Sequence, residues 1–320
     1  MKLPVKLLGV SAALILAATA PVKADEIRIT YKSAKTSSSY YQMGVQIAEA
    51  MKKGSNGEII VTVEESQGSV QNVMEVKARG ADYVFTSPPV LVKLAQEGKA
   101  MFAGKGNGRF DDIRALFPIP SLTMQFVMSS EAAVLTFPEL AGKKLLLGKG
   151  SFGAREGAKY IKLFGLEGKV TLVDVELSNA VSALKNGQID GFVTAGSWPA
   201  PNVVEAAAST SVNLISMDGE EVKKTKRTRM VIPAGTYAGQ DDDIVTTSLP
   251  VIVYTTTQMD DDTAYQLTKT FWEQKKEMVG VAAWWEGVDD QLMVNITGKL
   301  HPGAIKFYKE VGFPIAKDQE

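Results

Sequence analysis

Nine residues, Ser33-Ala34-Lys35-Thr36-Ser37-Ser38-Ser39-Tyr40-Tyr41, gather one ammonium group, a run of hydroxyls and two phenols into a single short stretch. Ahead of them, Ile27-Arg28-Ile29-Thr30-Tyr31 alternates with the period of a strand. Behind them, Met43, Ile47, Ala50 and Met51 recur at helical spacing. The hydroxyls therefore stand at the start of a helix. Unpaired N–H groups and the positive end of the helix dipole favour a carboxylate or phosphate there. A single serine is enough to cap a helix, so a capped and solvated turn is the competing reading. A second stretch, Gly148-Lys149-Gly150-Ser151-Phe152-Gly153-Ala154-Arg155, repeats the pattern after the strand Lys144-Leu145-Leu146-Leu147.

Other chemistry is poorly supplied. There is one histidine, His301, and no cysteine, so neither thiolate catalysis nor a histidine pair for a metal is available. His301 precedes Pro302-Gly303 and reads as a turn or surface residue. The glycines at 148, 150 and 153 fit a dinucleotide fingerprint by letter alone, and the loop lacks the ending of a phosphate-binding P-loop. Carboxylates are plentiful, but no pair stands out as acid and base. The chain reads as a binding protein without metal or cofactor, not an enzyme.

The elements that position these loops alternate. Strands at 27–31, 59–63 and 83–87 are separated by helical patterns, which predicts a parallel α/β sheet. In such sheets ligands sit beyond the carboxyl ends of the strands. Here those ends are Ser33–Ser39, Ser66–Ser69 and Thr86-Ser87, all rich in hydroxyls. Strands at 144–147, 171–175 and 191–194 repeat the logic, so two lobes should face each other across a cleft. The apolar runs 123–128 and 251–255 are the candidate crossings between lobes. They divide the chain into a first lobe of 25–122 plus 256–320 and a second of 129–250. Trp272, Trp284 and Trp285 read as packing, and the basic run 223–229 as a solvated surface segment. Asp260-Asp261-Asp262 suits the start of a helix over 263–278.

Residues 1–24 have the features of a secretory signal. Lys2 and Lys6 precede an apolar run from Leu7 to Ala20, and Val22-Lys23-Ala24 offers a small-x-small cleavage site. Removing them takes away three lysines and no acid, so the formal charge goes from −1 to −4. That disfavours nucleic acid or an anionic membrane as partner. No segment is long enough to span a membrane, and without cysteine there is no lipid anchor, which points to a free periplasmic protein.

Taken together, several tracts resemble the TAXI-type solute receptors of TRAP transporters. They are Tyr40-Tyr41 after a small-residue loop, Gly68-Ser69-Val70-Gln71-Asn72, Gly80-Ala81-Asp82 and Leu140-Ala141-Gly142-Lys143. The likeness continues in Asp190-Gly191-Phe192-Val193-Thr194-Ala195-Gly196, in Ile232-Pro233-Ala234-Gly235-Thr236-Tyr237, in Gly239-Gln240-Asp241, and in His301-Pro302-Gly303-Ala304 with Phe307-Tyr308. The resemblance covers the whole mature chain. It implies a two-lobed periplasmic binding protein fold of the type II kind, each lobe a mostly parallel sheet flanked by helices. It also implies a monomer that closes on glutamate, glutamine, 2-oxoglutarate or a similar small anionic solute, and delivers it to the membrane subunits of an ion-coupled TRAP permease. An ABC importer or a sensor kinase would be the alternative partner. Carried over by position, the ligand-binding residues are Ser37, Ser38, Ser39, Tyr40 and Tyr41, then Ser87, then Ser151, Phe152, Gly153 and Ala154. Thr194, Ala195, Gly196, Ser197 and Trp198 complete them. The family's first loop is usually glycine-rich and its second close to Gly-Ser-Gly-Thr, so Lys35, Lys149 and Arg155 are departures. The turn after Gly196, with Trp198 in it, looks one residue longer than usual. The added cations favour a more anionic ligand, with Arg155 the first candidate to grip a carboxylate and Lys35 the second.

Overall fold

A computed structural model describes residues 26–320 except Lys77 and residues 106–107, with the side chains of 108, 109 and 283 also left aside. The proposed signal segment, 1–24, lies outside the described residues. Among those described, ten strands form one mixed sheet. β1 (Ile27–Lys32) lies parallel between β2 (Ile59–Glu64) and β3 (Tyr83–Ser87), with α1 (Ser39–Gly54), α2 (Ser69–Glu75) and α3 (Pro89–Gln96) as connections. β4 (Ile113–Ser129) follows as a long strand. Then β5 (Lys144–Leu146) lies parallel between β6 (Thr171–Val173) and β7 (Gly191–Gly196), joined through α4 (Phe152–Leu163) and α5 (Ala180–Lys185). After α6 (Pro201–Ser209) come β8 (Val212–Leu214), α7 (Gly219–Thr225), β9 (Thr228–Ile232) and a second long strand, β10 (Ile244–Thr256). The chain ends in α8 (Asp261–Glu273), α9 (Lys275–Met278) and α10 (Pro302–Val311).

Strand order runs β2-β1-β3-β10-β4-β7-β5-β6, with β8 on β4 and β9 on β10. Each half therefore places its first strand between its second and third, and lays a long antiparallel strand beside the third. The alternating expectation for both halves is met, and the sheet is of the α/β kind read from the sequence. The expected crossings, 123–128 and 251–255, lie inside β4 and β10. These two strands pair with each other antiparallel, and their register shifts between Leu249 and Val251, where Pro120 and Ser121 stand opposite Pro250. Proline has no N–H to give a ladder, so it suits a position where pairing is interrupted. Beyond this point β4 keeps β10 as partner through Leu122 and Thr123, and pairs with β7 from Thr123 to Met128.

Packing explains the C-terminal elements. Phe117 of β4 stacks on Phe271 of α8 at 4.0 Å, and Phe271 lies against the fully buried Trp285. Asp260 caps α8 by accepting from Thr263 N, as the acidic run predicted, although the helix breaks at Gln274 before α9. His301 is not at the surface: it is 1% exposed and caps α10, its Nδ1 accepting from Gly303 N. That leaves Nε2 to donate to Met259 O at 3.0 Å, so the ring is neutral. Burial pushes this imidazole below its ordinary value, against the opposing pull of the Met259 hydrogen bond and Asp261. Below about pH 6.5 the unfolded chain takes up a proton that the folded chain resists, so stability falls as pH falls. Replacing His301 by Asn keeps a capping acceptor, and should flatten the melting temperature against pH between about 6.5 and 5. An unchanged slope in H301N would assign that acid lability to other groups.

Candidate functional site

Hydrogen bonds that leave the ladders set the strand ends. Asn72 on α2 donates to Ser33 O at 2.6 Å and Thr86 O at 2.8 Å, tying the ends of β1 and β3 together. Ser66 donates to Ser33 O at 2.9 Å and accepts from Gly68 N at 2.9 Å, which adds the end of β2. Ser38 caps α1 by accepting from Tyr40 N. In the other half Ser151 caps α4 by accepting from Ala154 N at 2.9 Å. Lys149 N donates to Val175 O at 2.8 Å, which brings the end of β6 alongside that cap.

These ends line a pocket of about 50 Å³ between the two halves of the sheet, partly open to solvent. At roughly 10–15 Å³ of such volume per water, it has room for about four waters or one small solute. Ser33, Ala34, Lys35, Ser38 and Tyr40 line it from the first loop, and Gln67, Gly68 and Ser69 from the second. The facing wall is Lys149, Ser151, Phe152 and Gly153, then Glu176, Leu177 and Ala195. The N-termini of α1 and α4, one from each half, thus open onto one space.

The halves also touch directly. Ser39 Oγ accepts from Ser197 N at 2.8 Å, and a Cβ placed on Gly196 would lie 2.3 Å from that Oγ. Lys35 Nζ sits 3.5 Å from Glu176 across the cleft and 3.6 Å from Glu65 on its own side. With its amide oriented to satisfy both neighbours, Gln67 accepts from Lys35 at 3.0 Å and donates to Glu176 at 3.2 Å. Tyr40 OH donates to Pro120 O at 2.8 Å, linking α1 to the strand that joins the halves. Burial holds the Tyr40 phenol well above its ordinary value, so it acts as a neutral donor.

Of the residues expected here from the sequence, Lys35, Ser38, Tyr40, Ser151, Phe152, Gly153 and Ala195 line the cavity. Ser39, Gly196 and Ser197 form the direct contact beside it. Ser37, Tyr41, Ala154 and Thr194 are not on its wall; Thr194 Oγ1 accepts from Asn202 at 3.1 Å. Ser87 is spent inside the sheet on Ser69 O, Thr86 O and Tyr254 OH. Trp198 lies in a separate groove with Pro120, Pro199 and Trp284.

Arg155 is exposed and outside the lining, because α4 turns it to solvent with Lys159 and Lys162. Of the added cations, Lys35 is paired with two acids and Lys149 lies 3.8 Å from Asp174. Gln67 and Glu176 were missed, although both stand where the strand-end rule points. The basic run 223–229 is not wholly solvated either: Arg227 reaches inward to the buried Glu156 at 2.6 Å.

No nucleophile lies within the hydrogen bonds of His301 given above. Among the described residues no group of three or more His, Cys, Asp or Glu is placed to hold a metal, and no helix is long and apolar enough to cross a membrane.

A model of the NMT1-like family matches residues 32–312. A solved structure from Bordetella bronchiseptica RB50 superposes with a TM-score of 0.50 at 15% identity, over 92% of this chain and 86% of its own. MatC from Rhodopseudomonas palustris, solved with bound malate, gives 0.52 at 12% identity, over 78% of this chain and 85% of its own. The alkanesulfonate-binding protein SsuA from Xanthomonas axonopodis pv. citri gives 0.47 at 12%, over 92% and 96%. At such identities the likeness is one of fold alone, a mixed α/β sheet flanked by helices shared with the Bordetella structure and with MatC.

Proposed function

This chain belongs to the NMT1-like family, and we propose that it is a periplasmic receptor for a small carboxylate-bearing solute. One observation carries the reading. Two helix N-termini, each capped by a serine and each from a different half, open onto a single pocket lined with further hydroxyls. Backbone N–H groups at such ends bind carboxylates without any arginine clamp. A ligand touching both halves favours the closed arrangement over an open one, as hinge closure requires. The hinge in this reading is the pair of long strands near Pro120 and Pro250, and the lobes are the halves on either side. The resemblance read from the sequence makes the receiving permease a TRAP-type pair and the receptor one of the TAXI kind. The solute is carried unchanged, so turnover is no part of the role.

The test is calorimetry and thermal shift of the mature protein against amino acids, 2-oxo acids and dicarboxylates, with neutral sugars and polyamines beside them. A carboxylate at 100 times its Kd should stabilise the fold by about 2.7 kcal/mol and be recovered chemically intact. Stabilisation by sugars or polyamines alone would overturn the carboxylate reading. The permease assignment is tested separately, by ligand-dependent uptake in vesicles holding a TRAP membrane pair.

A further inference from the structure

The two halves meet in charged contacts at the exposed end of the pocket. Its floor is buried, with Tyr40, Thr86, Leu122 and Val251 each 5% exposed or less. Its outer end carries Lys35 and Glu176, whose side chains are 23% and 36% exposed. Lys35 comes from the first half and Glu176 from the second, and their charges stand 3.5 Å apart. Gln67, also of the first half, accepts from Lys35 at 3.0 Å and donates to Glu176 at 3.2 Å. The stem of Gln67 packs close to the second half too, since a Cβ placed on Gly150 would lie 3.7 Å from Gln67 Cβ. Lys149 shares this wall, and its ammonium lies 3.8 Å from Asp174 of its own half. The pairs Lys32–Glu64, Arg79–Glu75 and Arg227–Glu156 likewise stay within one half. The Lys35–Glu176 pair differs from these, because it forms only when the halves are together.

Parting the halves does not leave Lys35 bare. Glu65, on its own side, lies 3.6 Å away. The closed arrangement therefore adds a second acid to a lysine that already has one. Between partly exposed groups such a gain is small and is weakened by salt. It still multiplies the ratio of two arrangements in equilibrium. We infer that the Lys35–Gln67–Glu176 strap is a latch, holding the halves together through protein groups alone, with Glu65 as its competitor for Lys35. This rests on the hinge in the receptor reading and adds to it a closed population that exists before solute arrives. A partly latched receptor needs less from its solute in order to close, so the strap tightens binding for any solute that fits. The nearby Ser39–Ser197 hydrogen bond, at 2.8 Å, joins the halves without net charge, so salt tells the two apart.

The experiment measures the distance between the halves. The chain has no cysteine, so Lys93→Cys on α3 and Lys185→Cys on α5, both exposed and one in each half, take a pair of spin labels cleanly. Pulsed dipolar spectroscopy of the mature labelled protein, stripped of bound solute, gives the shares of closed and open molecules. Raising salt from about 0.01 M to about 1 M shortens the screening length from about 30 Å to about 3 Å. Over that range the closed-to-open ratio should fall about threefold, the scale of one partly exposed ion pair. Glu176→Gln should start at the lowered ratio and change little with salt. Glu65→Gln removes the competitor, so its ratio at low salt should equal or exceed that of the parent. An E176Q ratio equal to the parent's would overturn the latch, as would E65Q and E176Q falling together, and either result leaves the hinge standing. One unvarying distance in every protein at every salt would overturn the latch and the hinge together.

Discussion

Gly196→Ala lowers ligand affinity by at least tenfold, and adding Ser39→Ala restores the part of that loss that comes from the clash. The Gly196 backbone accepts a side chain, so the cost comes from space. A Cβ there would stand 2.3 Å from Ser39 Oγ, far inside contact distance, while the next atom, Ser39 Cβ, is 3.6 Å away. Ser39 can escape only by turning its hydroxyl off Ser197 N, which leaves a buried N–H unpaired at about 1–3 kcal/mol. Overpacking adds a cost of the same order. Because the contact joins the two halves, the penalty falls on the closed arrangement that holds ligand. S39A alone leaves the same Ser197 N–H unpaired, about 1–3 kcal/mol, and the double variant should be no weaker than S39A. Calorimetry on the four proteins of this cycle gives the coupling directly. Additive losses would mean that Ser39 and Gly196 do not meet in the liganded state.

The alternation of strands and helices was legible because each strand end is marked by a change of period, as at Tyr31 and Val63. The long strands were harder to see. Pro118 and Pro120 interrupt β4 and Pro250 interrupts β10, so each reads as two short apolar runs, although both continue through the sheet. The small strands β8 and β9 carry little pattern of their own and exist because β4 and β10 offer them an edge.

At the site, the loops were found from hydroxyl content and strand-end position, but the charged residues were not. Arg155 was chosen for its charge, yet Lys159 and Lys162, four and seven positions later, already marked a solvent-facing stripe on α4. Glu176 follows β6 as Gln67 follows β2, so the repeat of strand order in the two halves would have named it. Nothing local distinguishes His301 as a buried cap, since His-Pro-Gly reads as a turn whichever way the ring points. Its placement depends on Met259 and Asp261, about forty residues earlier in the chain.

The same kind of distant partner fixes α4, the helix whose start lines the cavity. Glu156, one turn in, is 6% exposed in its side chain and receives two hydrogen bonds from Arg227, at 2.6 and 3.2 Å. Arg227→Met removes the cation and strands a buried carboxylate, a change that typically costs about 3–5 kcal/mol. Lys159, 3.6 Å away but largely in water, offsets part of this and brings the expected loss to about 3 kcal/mol. Pairing it with Glu156→Leu removes the stranded charge, and the double variant should recover most of the urea midpoint despite having no ion pair. If R227M alone leaves the midpoint unchanged, Lys159 is the partner that matters, and Lys159→Met in the R227M background should then produce the loss.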